Sequence, residues 1–302
     1  MIELSQCLLP HGISLSCRTA GAKGRPVLVF LHGFPEAAFV WDALLLHFAQ
    51  PENGGYRCIA PNLRGFELSS APTDVSAYRP KHLVQDIAAL IALEGGQLEA
   101  LIAHDWGGAV AWNLAASQPQ LIKKLAIINS PHPGTFLREL QHSAAQQAAS
   151  AYMTFLIRPD AERLLAEDDF RRLFEFFMPL SSVKEAKGPR ETPDWLTPEV
   201  HAQYRDVWQR GLTGPLNFYR ASPLRPGPEI AKVVIPRELL DVHLRTLVLW
   251  GMGDIALPPG LLDGLQSYVP QMQLERIEGA THWIIHEQPD LVARHLRLFL
   301  QS

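Results

Sequence analysis

The sequence predicts an α/β fold: a mostly parallel sheet covered by helices on both faces, with a helical cap inserted between two of its strands. Three observations predict it. Short apolar runs recur along the chain with helical patterns between them. The alternation then stops over residues 134–236, which hold helical patterns, aromatics and prolines but no run that reads as a buried strand. Finally, an aspartate stands where the third apolar run turns into a helix.

The runs at 26–31, 57–61, 98–103, 124–129 and 245–250 are short and largely apolar, the pattern of strands buried on both faces. A last strand is expected at 273–277. Helical patterns at 80–93 and 107–117 separate them, and strands alternating with helices argue for a parallel sheet. Within the insertion, 143–157, 161–177 and 197–211 read as helices, and the Pro-rich stretch 223–228 reads as the return linker. The expected division is a core of 1–133 with 237–302 and a cap of 134–236. Such a cap would cover the C-terminal ends of the strands, where open α/β sheets bind their ligands.

A length of 302 residues with 47% hydrophobic content suits one large buried core carrying an insertion. The net charge of −4 argues against a nucleic-acid partner or an anionic membrane surface. Cys7, Cys17 and Cys58 have neither metal nor CxxC spacing, and their odd number points to a reducing compartment. An acid stands near the N-terminus where a signal peptide needs basic residues, and no run reaches the roughly 20 apolar residues of a membrane span. The expected location is cytoplasmic.

The segment Ala103-His104-Asp105-Trp106-Gly107 has the spacing of a nucleophile elbow, in which small residues flank a sharp strand-to-helix turn. Most elbows carry Ser. A carboxylate needs no base to activate it, and it attacks an electrophilic sp3 carbon to form an alkyl ester. His32-Gly33-Phe34-Pro35 follows the first run, and the N–H groups of Phe34 and Trp106 would form an oxyanion hole. Taken alone, the same four residues would be an ordinary strand-ending turn. His282, one of twelve histidines, follows the last strand. Asp254 follows 245–250, where it could equally cap a loop. The chain order Asp105, Asp254, His282 is the nucleophile–acid–histidine order expected behind such an elbow. His282 would take a proton from water while Asp254 holds its ring. Asn129 ends the strand after the elbow, where an acid could stand instead, but an amide cannot do that work.

These segments resemble the α/β-hydrolase superfamily, and its epoxide hydrolase family in particular. The likeness rests on His32-Gly33-Phe34-Pro35-Glu36, Pro61-Asn62-Leu63-Arg64-Gly65-Phe66, His104 to Gly108, Asp254 and His282-Trp283, which span both parts of the core. The resemblance implies two cap tyrosines that donate hydrogen bonds to the epoxide oxygen as it becomes an alkoxide. Tyr152, seven residues before Pro159, and Tyr219, in Gly214-Pro215-Leu216-Asn217-Phe218-Tyr219-Arg220, stand at similar positions. It also implies a small apolar epoxide and water as reactants, with no metal or cofactor. The same Asp-His-Asp set serves dehalogenases. Those resemble this chain less, because haloalkane dehalogenases place Asn where Phe34 stands and fluoroacetate-type enzymes place Arg where Trp106 stands. A ligand-binding relative without turnover would lack part of the catalytic set, all of which is present here.

Overall fold

Among residues 1–178 and 192–302, which the computed structural model describes, eight strands form one sheet. They are β1 (Glu3–Leu8), β2 (Ser14–Ala20), β3 (Val27–Leu31), β4 (Arg57–Pro61), β5 (Leu98–His104), β6 (Ile122–Ile128), β7 (Arg245–Gly251) and β8 (Met272–Ile277), in the order β1-β2-β4-β3-β5-β6-β7-β8. From β4 to β8 all neighbours are parallel. β1 and β2 add an antiparallel edge that the apolar runs do not announce. β1 is exposed along nearly its whole length, so it lacks the apolar centre by which a buried strand shows itself. It is held by its pairing to β2, from Glu3 opposite Thr19 to Leu8 opposite Ser14.

Helices α1 (Asp42–Ala49), α2 (Pro80–Leu93) and α3 (Asp105–Ser117) connect the first strands. Alternate residues of each central strand feed opposite faces. In β3, Val29 and Leu31 pack on one side with Val110 and Trp112 of α3, while Leu28 and Phe30 pack on the other with Leu45 and Phe48 of α1. A strand buried on both faces therefore reads as a continuous apolar run, as predicted.

Between β6 and β7 lie α4 (Pro133–His142), α5 (Ala144–Ala149), α6 (Tyr152–Leu156), α7 (Ala161–Phe174), α8 (Pro198–Gln209) and α9 (Thr213–Ala221), with no strand among the described residues there. Residues 179–191 of the expected cap lie outside the described residues. The helix expected over 143–157 is two helices, α5 and α6, separated at Ser150 and Ala151. That expected over 161–177 turns sharply at Asp168, Asp169 and Phe170, all three in the left-handed region. Ion pairs from Arg172 to Glu167 and from Arg205 to Asp169 brace the turn. Periodicity alone does not reveal α9, because Gly214 and Pro215 interrupt the pattern. Both fall in its first turn, where a missing backbone donor costs nothing. A separate apolar cluster joins these helices to the sheet end, packing Leu156, Leu173, Phe177, Tyr204, Trp208 and Tyr219 against Phe34 and Trp283. The chain closes with α10 (Ile284–Glu287) and α11 (Pro289–Gln301). No helix among the described residues is long and apolar enough to cross a membrane.

Candidate active site

β5 hands over to α3 at Asp105, whose φ of 48° lies in the left-handed region that non-glycine residues rarely adopt. Such a conformation costs on the order of 1–3 kcal/mol and persists only where the surroundings over-determine it. Ser130 Oγ donates to the Asp105 carbonyl at 2.6 Å. A Cβ added to Gly107 would stand 2.5 Å from the Leu31 carbonyl oxygen, and one added to Gly108 would stand 2.3 Å from Ser130 Cβ. These two glycines let α3 close against β3 and against the segment after β6, which aims Asp105 off the end of the sheet. Gly33 is needed on the other side, where a Cβ would come within 2.3 Å of Asp105 Cβ. The approach lets the Phe34 N–H donate to Asp105 Oδ1 at 2.7 Å. Trp106 follows directly, and its N–H is a first-turn amide that no carbonyl of α3 can take.

His282 sits after β8 with Nδ1 at 2.6 Å from Asp254 Oδ2 and Nε2 at 3.6 Å from Asp105 Oδ2. Asp254 is not merely a loop cap. Its Oδ1 accepts the N–H groups of Ala256 and Leu257, both at 2.9 Å, while Oδ2 takes His282 and the Asn129 side-chain amide at 2.8 Å. Asn129 also accepts the Gly251 N–H through Oδ1. Asn129, an amide where an acid could stand instead, therefore holds the Asp254 carboxylate in place from the end of β6 to the loop after β7.

Burial alone would lower the His282 pKa. The carboxylate of Asp254, followed by that of Asp105, outweighs it, and the imidazole is raised to about 9. Because this folded-state value lies above the ordinary 6.5, the His282 proton stabilises the fold fully below that pH, and the stabilisation is lost as pH rises through about 9. Its size is on the order of 3 kcal/mol. Chemical denaturation followed between about pH 6 and pH 10 is expected to show the wild type losing more stability across this window than His282→Gln. Parallel pH–stability curves for the two proteins would contradict the assignment.

The two tyrosines arrive from separate helices. Tyr152 opens α6 and is half-buried, and Tyr219 lies in α9, fully buried. Their ring centroids are 6.2 Å apart, and the Tyr219 ring stands edge-on to Phe34 at 5.2 Å and to Trp106 at 5.0 Å. α9 approaches this closely because Gly65, at φ 89°, meets Gly214 backbone to backbone; a Cβ on Gly214 would fall 2.4 Å from Gly65 Cα. That contact gives the Pro61–Phe66 segment its purpose in the site. Burial, with the Asp105 charge adding to it, raises both phenol pKa values above the ordinary 10, so both hydroxyls carry their protons at neutral pH.

Phe34, Asp105, Tyr152, Tyr219 and His282 all line one cavity of about 970 Å³. Trp106 and Asp254 stand behind that wall, the first against Tyr219 and the second against His282. Among the described residues, no group of three or more His, Cys, Asp or Glu side chains is arranged to hold a metal ion.

One buried cluster was legible only as motif letters. Glu36 is wholly enclosed; its Oε2 contacts His104 Nδ1 at 3.1 Å, and its Oε1 takes His286 Nε2 at 2.5 Å and the Tyr204 hydroxyl at 3.1 Å. His104 Nε2 meets the His282 carbonyl oxygen at 2.9 Å, so that nitrogen donates. The His104 ring therefore bridges Glu36 and the His282 loop. Burial works against the Glu36 charge, but the rings of His286 and His104 outweigh it and hold the carboxyl below its usual range. The cluster ties the loop after β3, the strand-to-helix turn at Asp105 and the His282 loop to α8, which carries Tyr204. Its partners come from four distant stretches of chain, and no local spacing announces them.

A family model for the α/β-hydrolase fold matches residues 26–289. The AB hydrolase superfamily protein YfhM of Bacillus subtilis (strain 168) is 33% identical over 298 residues, covering 97% of this chain and 96% of that protein. Epoxide hydrolase 4 of Mus musculus is 32% identical over 294 residues, covering 96% of this chain and 77% of its own length. Among solved structures, the epoxide hydrolase of Bacillus megaterium in complex with an inhibitor superposes with a TM-score of 0.84 at 28% identity, covering 99% of this chain and all of that one.

Proposed function

Because the chain belongs to the α/β-hydrolase fold family and to its epoxide hydrolase branch, we propose that it converts an epoxide to a vicinal diol through an ester on Asp105. The observation that carries this reading is a carboxylate at the elbow, with His282 and Asp254 in line behind it and two protonated phenols in the same cavity.

Asp105 Oδ1 is already engaged by the Phe34 N–H, so Oδ2 is the oxygen free to attack. It forms a bond to one ring carbon as that carbon's bond to the epoxide oxygen breaks. The leaving oxygen stays on the skeleton as an alkoxide, and Tyr152 and Tyr219 stabilise and protonate it. Esterification removes the Asp105 charge, one of the influences that raise the His282 pKa. His282 then releases its proton more readily, which restores the phenol that protonated the alkoxide, and can act as base. It draws a proton from water, which adds to the ester carbonyl carbon. Oδ1 becomes the oxyanion while remaining on the Phe34 N–H, with the Trp106 N–H as the second donor. Collapse of this intermediate releases the diol with Oδ2 and restores the carboxylate with the water oxygen.

The helical insertion between β6 and β7 acts as a cap that supplies the tyrosines. Phe34, Phe155, Phe176 and Leu257 give the cavity an apolar wall, which favours small apolar epoxides. Three unpaired cysteines suit a reducing compartment, and cytoplasmic residence belongs to this reading.

A single turnover of excess enzyme with styrene oxide in 18O-water tests the sequence of steps. The diol is expected to carry no label, and Asp105 is expected to carry one labelled oxygen. Label in the first-turnover diol would mean that water attacks the epoxide directly.

A further inference from the structure

Gln146 lies in α5 where the helical insertion meets the loop after β7, and it is 1% exposed. Its side-chain amide nitrogen donates to Ser150 Oγ at 2.8 Å and to the Ala256 carbonyl oxygen at 3.0 Å. A carbonyl oxygen can only accept, so the nitrogen and not the oxygen must face Ala256; the amide has one orientation here. The side-chain oxygen is buried with no partner among the described residues. An unpartnered buried acceptor is costly, and an apolar side chain of the same size would avoid that cost. What the amide alone supplies is the pair of donated bonds.

Each bond leads within one step to a different part of the machinery. Ala256 donates its own N–H to Asp254 Oδ1, and Asp254 holds His282. The Ser150 carbonyl accepts the N–H of Met153 in the first turn of α6, the helix that Tyr152 opens. Ala148 and Ala149 on one side, with Ile255 and Ala256 on the other, line the same cavity.

We infer that Gln146 is a positioning residue, a tether that sets the distance between the Tyr152 helix and the Asp254–His282 pair. The inference rests on the epoxide reading above, in which those two groups act on opposite steps. Tyr152 serves ester formation, and the Asp254–His282 pair serves ester hydrolysis. One tether between them couples the two rates.

Rapid mixing with styrene oxide, reading ester formation and ester hydrolysis separately, tests it. Gln146→Met keeps the volume and loses both donors, and it is expected to slow both steps by about tenfold, since small displacements of reacting groups carry effects of this size or larger. In a Tyr152→Phe background, Gln146→Met is expected to change ester formation by less than about twofold, because the group it positions is already gone. The pH profile of hydrolysis is expected to shift with Gln146→Met and not with Tyr152→Phe. Ser150→Ala, a small change that keeps the Ala256 bond, is expected to slow formation more than hydrolysis; it carries the test if Gln146→Met does not fold. Wild-type rates in Gln146→Met would refute the tether, as would the same tenfold loss of formation in the Tyr152→Phe background. With Ser150→Ala, equal slowing of both steps would also refute it. A wild-type protein that forms no ester with styrene oxide would overturn the epoxide reading itself, and the inference with it.

Discussion

His282→Gln is expected to stop the enzyme halfway. Asp105 keeps its charge, its Phe34 N–H donor and the two phenols, so ring opening continues. Without the imidazole no group draws the proton from water, and the ester accumulates. Loss of a general base costs about 10²–10⁴-fold in rate, so multiple turnover should fall by that factor while one equivalent of epoxide is consumed in a burst. Intact mass should show the protein heavier by the whole epoxide, with peptide mapping placing the addition on Asp105. A mass gain lacking a halogen after exposure to a haloalkane, with none from epoxides, would move the enzyme to the dehalogenase side of its chemistry. Diol production by the variant at near wild-type rate would remove His282 from the mechanism.

The double variant Tyr152→Phe with Tyr219→Phe is expected to lose epoxide turnover almost completely, while its thermal unfolding stays close to that of the wild type. Both rings are retained, Tyr219 edge-on to Phe34 and Trp106 and Tyr152 edge-on to Phe176 and Tyr219; only the hydroxyls go. Removing one donor to a developing oxyanion costs about 10²–10³-fold, and here both are removed. The loss should fall on ester formation, because hydrolysis uses the oxyanion donors on the other side of Asp105. Each single variant should keep partial activity, since one phenol remains. A double variant that still forms the ester at wild-type rate would show that the tyrosines are packing residues.

The pattern of residues made the core legible because parallel strands buried on both faces leave an unbroken apolar signature. It lost β1, which lies exposed along the edge, and β2, whose buried positions are mostly Ser, Cys, Thr and Ala and so do not read as an apolar run. It also lost the division of 143–157 into α5 and α6. There the side-chain amide of Gln146 donates to the Ser150 hydroxyl and the Ala256 carbonyl at once, and no helical period encodes a partner more than a hundred residues away. Asn129 shows the same limit in the site. Its type excludes it as the acid, but only the approach of β6 to β7 turns it into the holder of Asp254. Glu36 and His104 stand in recognisable segments, but local sequence cannot place the His282 carbonyl oxygen that His104 also meets.

By itself, then, the sequence determined the core of the fold and the functional group that stands at its strand-to-helix turn. A carboxylate between small residues on a strand-to-helix turn is a local statement, carried by side-chain volume and by the chemistry of one functional group. The tertiary structure decided how that group is used. It turned Asp105 so that the Phe34 N–H holds one oxygen and His282 faces the other, and it buried His282 between two carboxylates that raise its pKa. It also brought two phenols from separate helices into one cavity. Those are distances and fields between residues far apart in the chain, and they exist only once the sheet and the helices above it have closed.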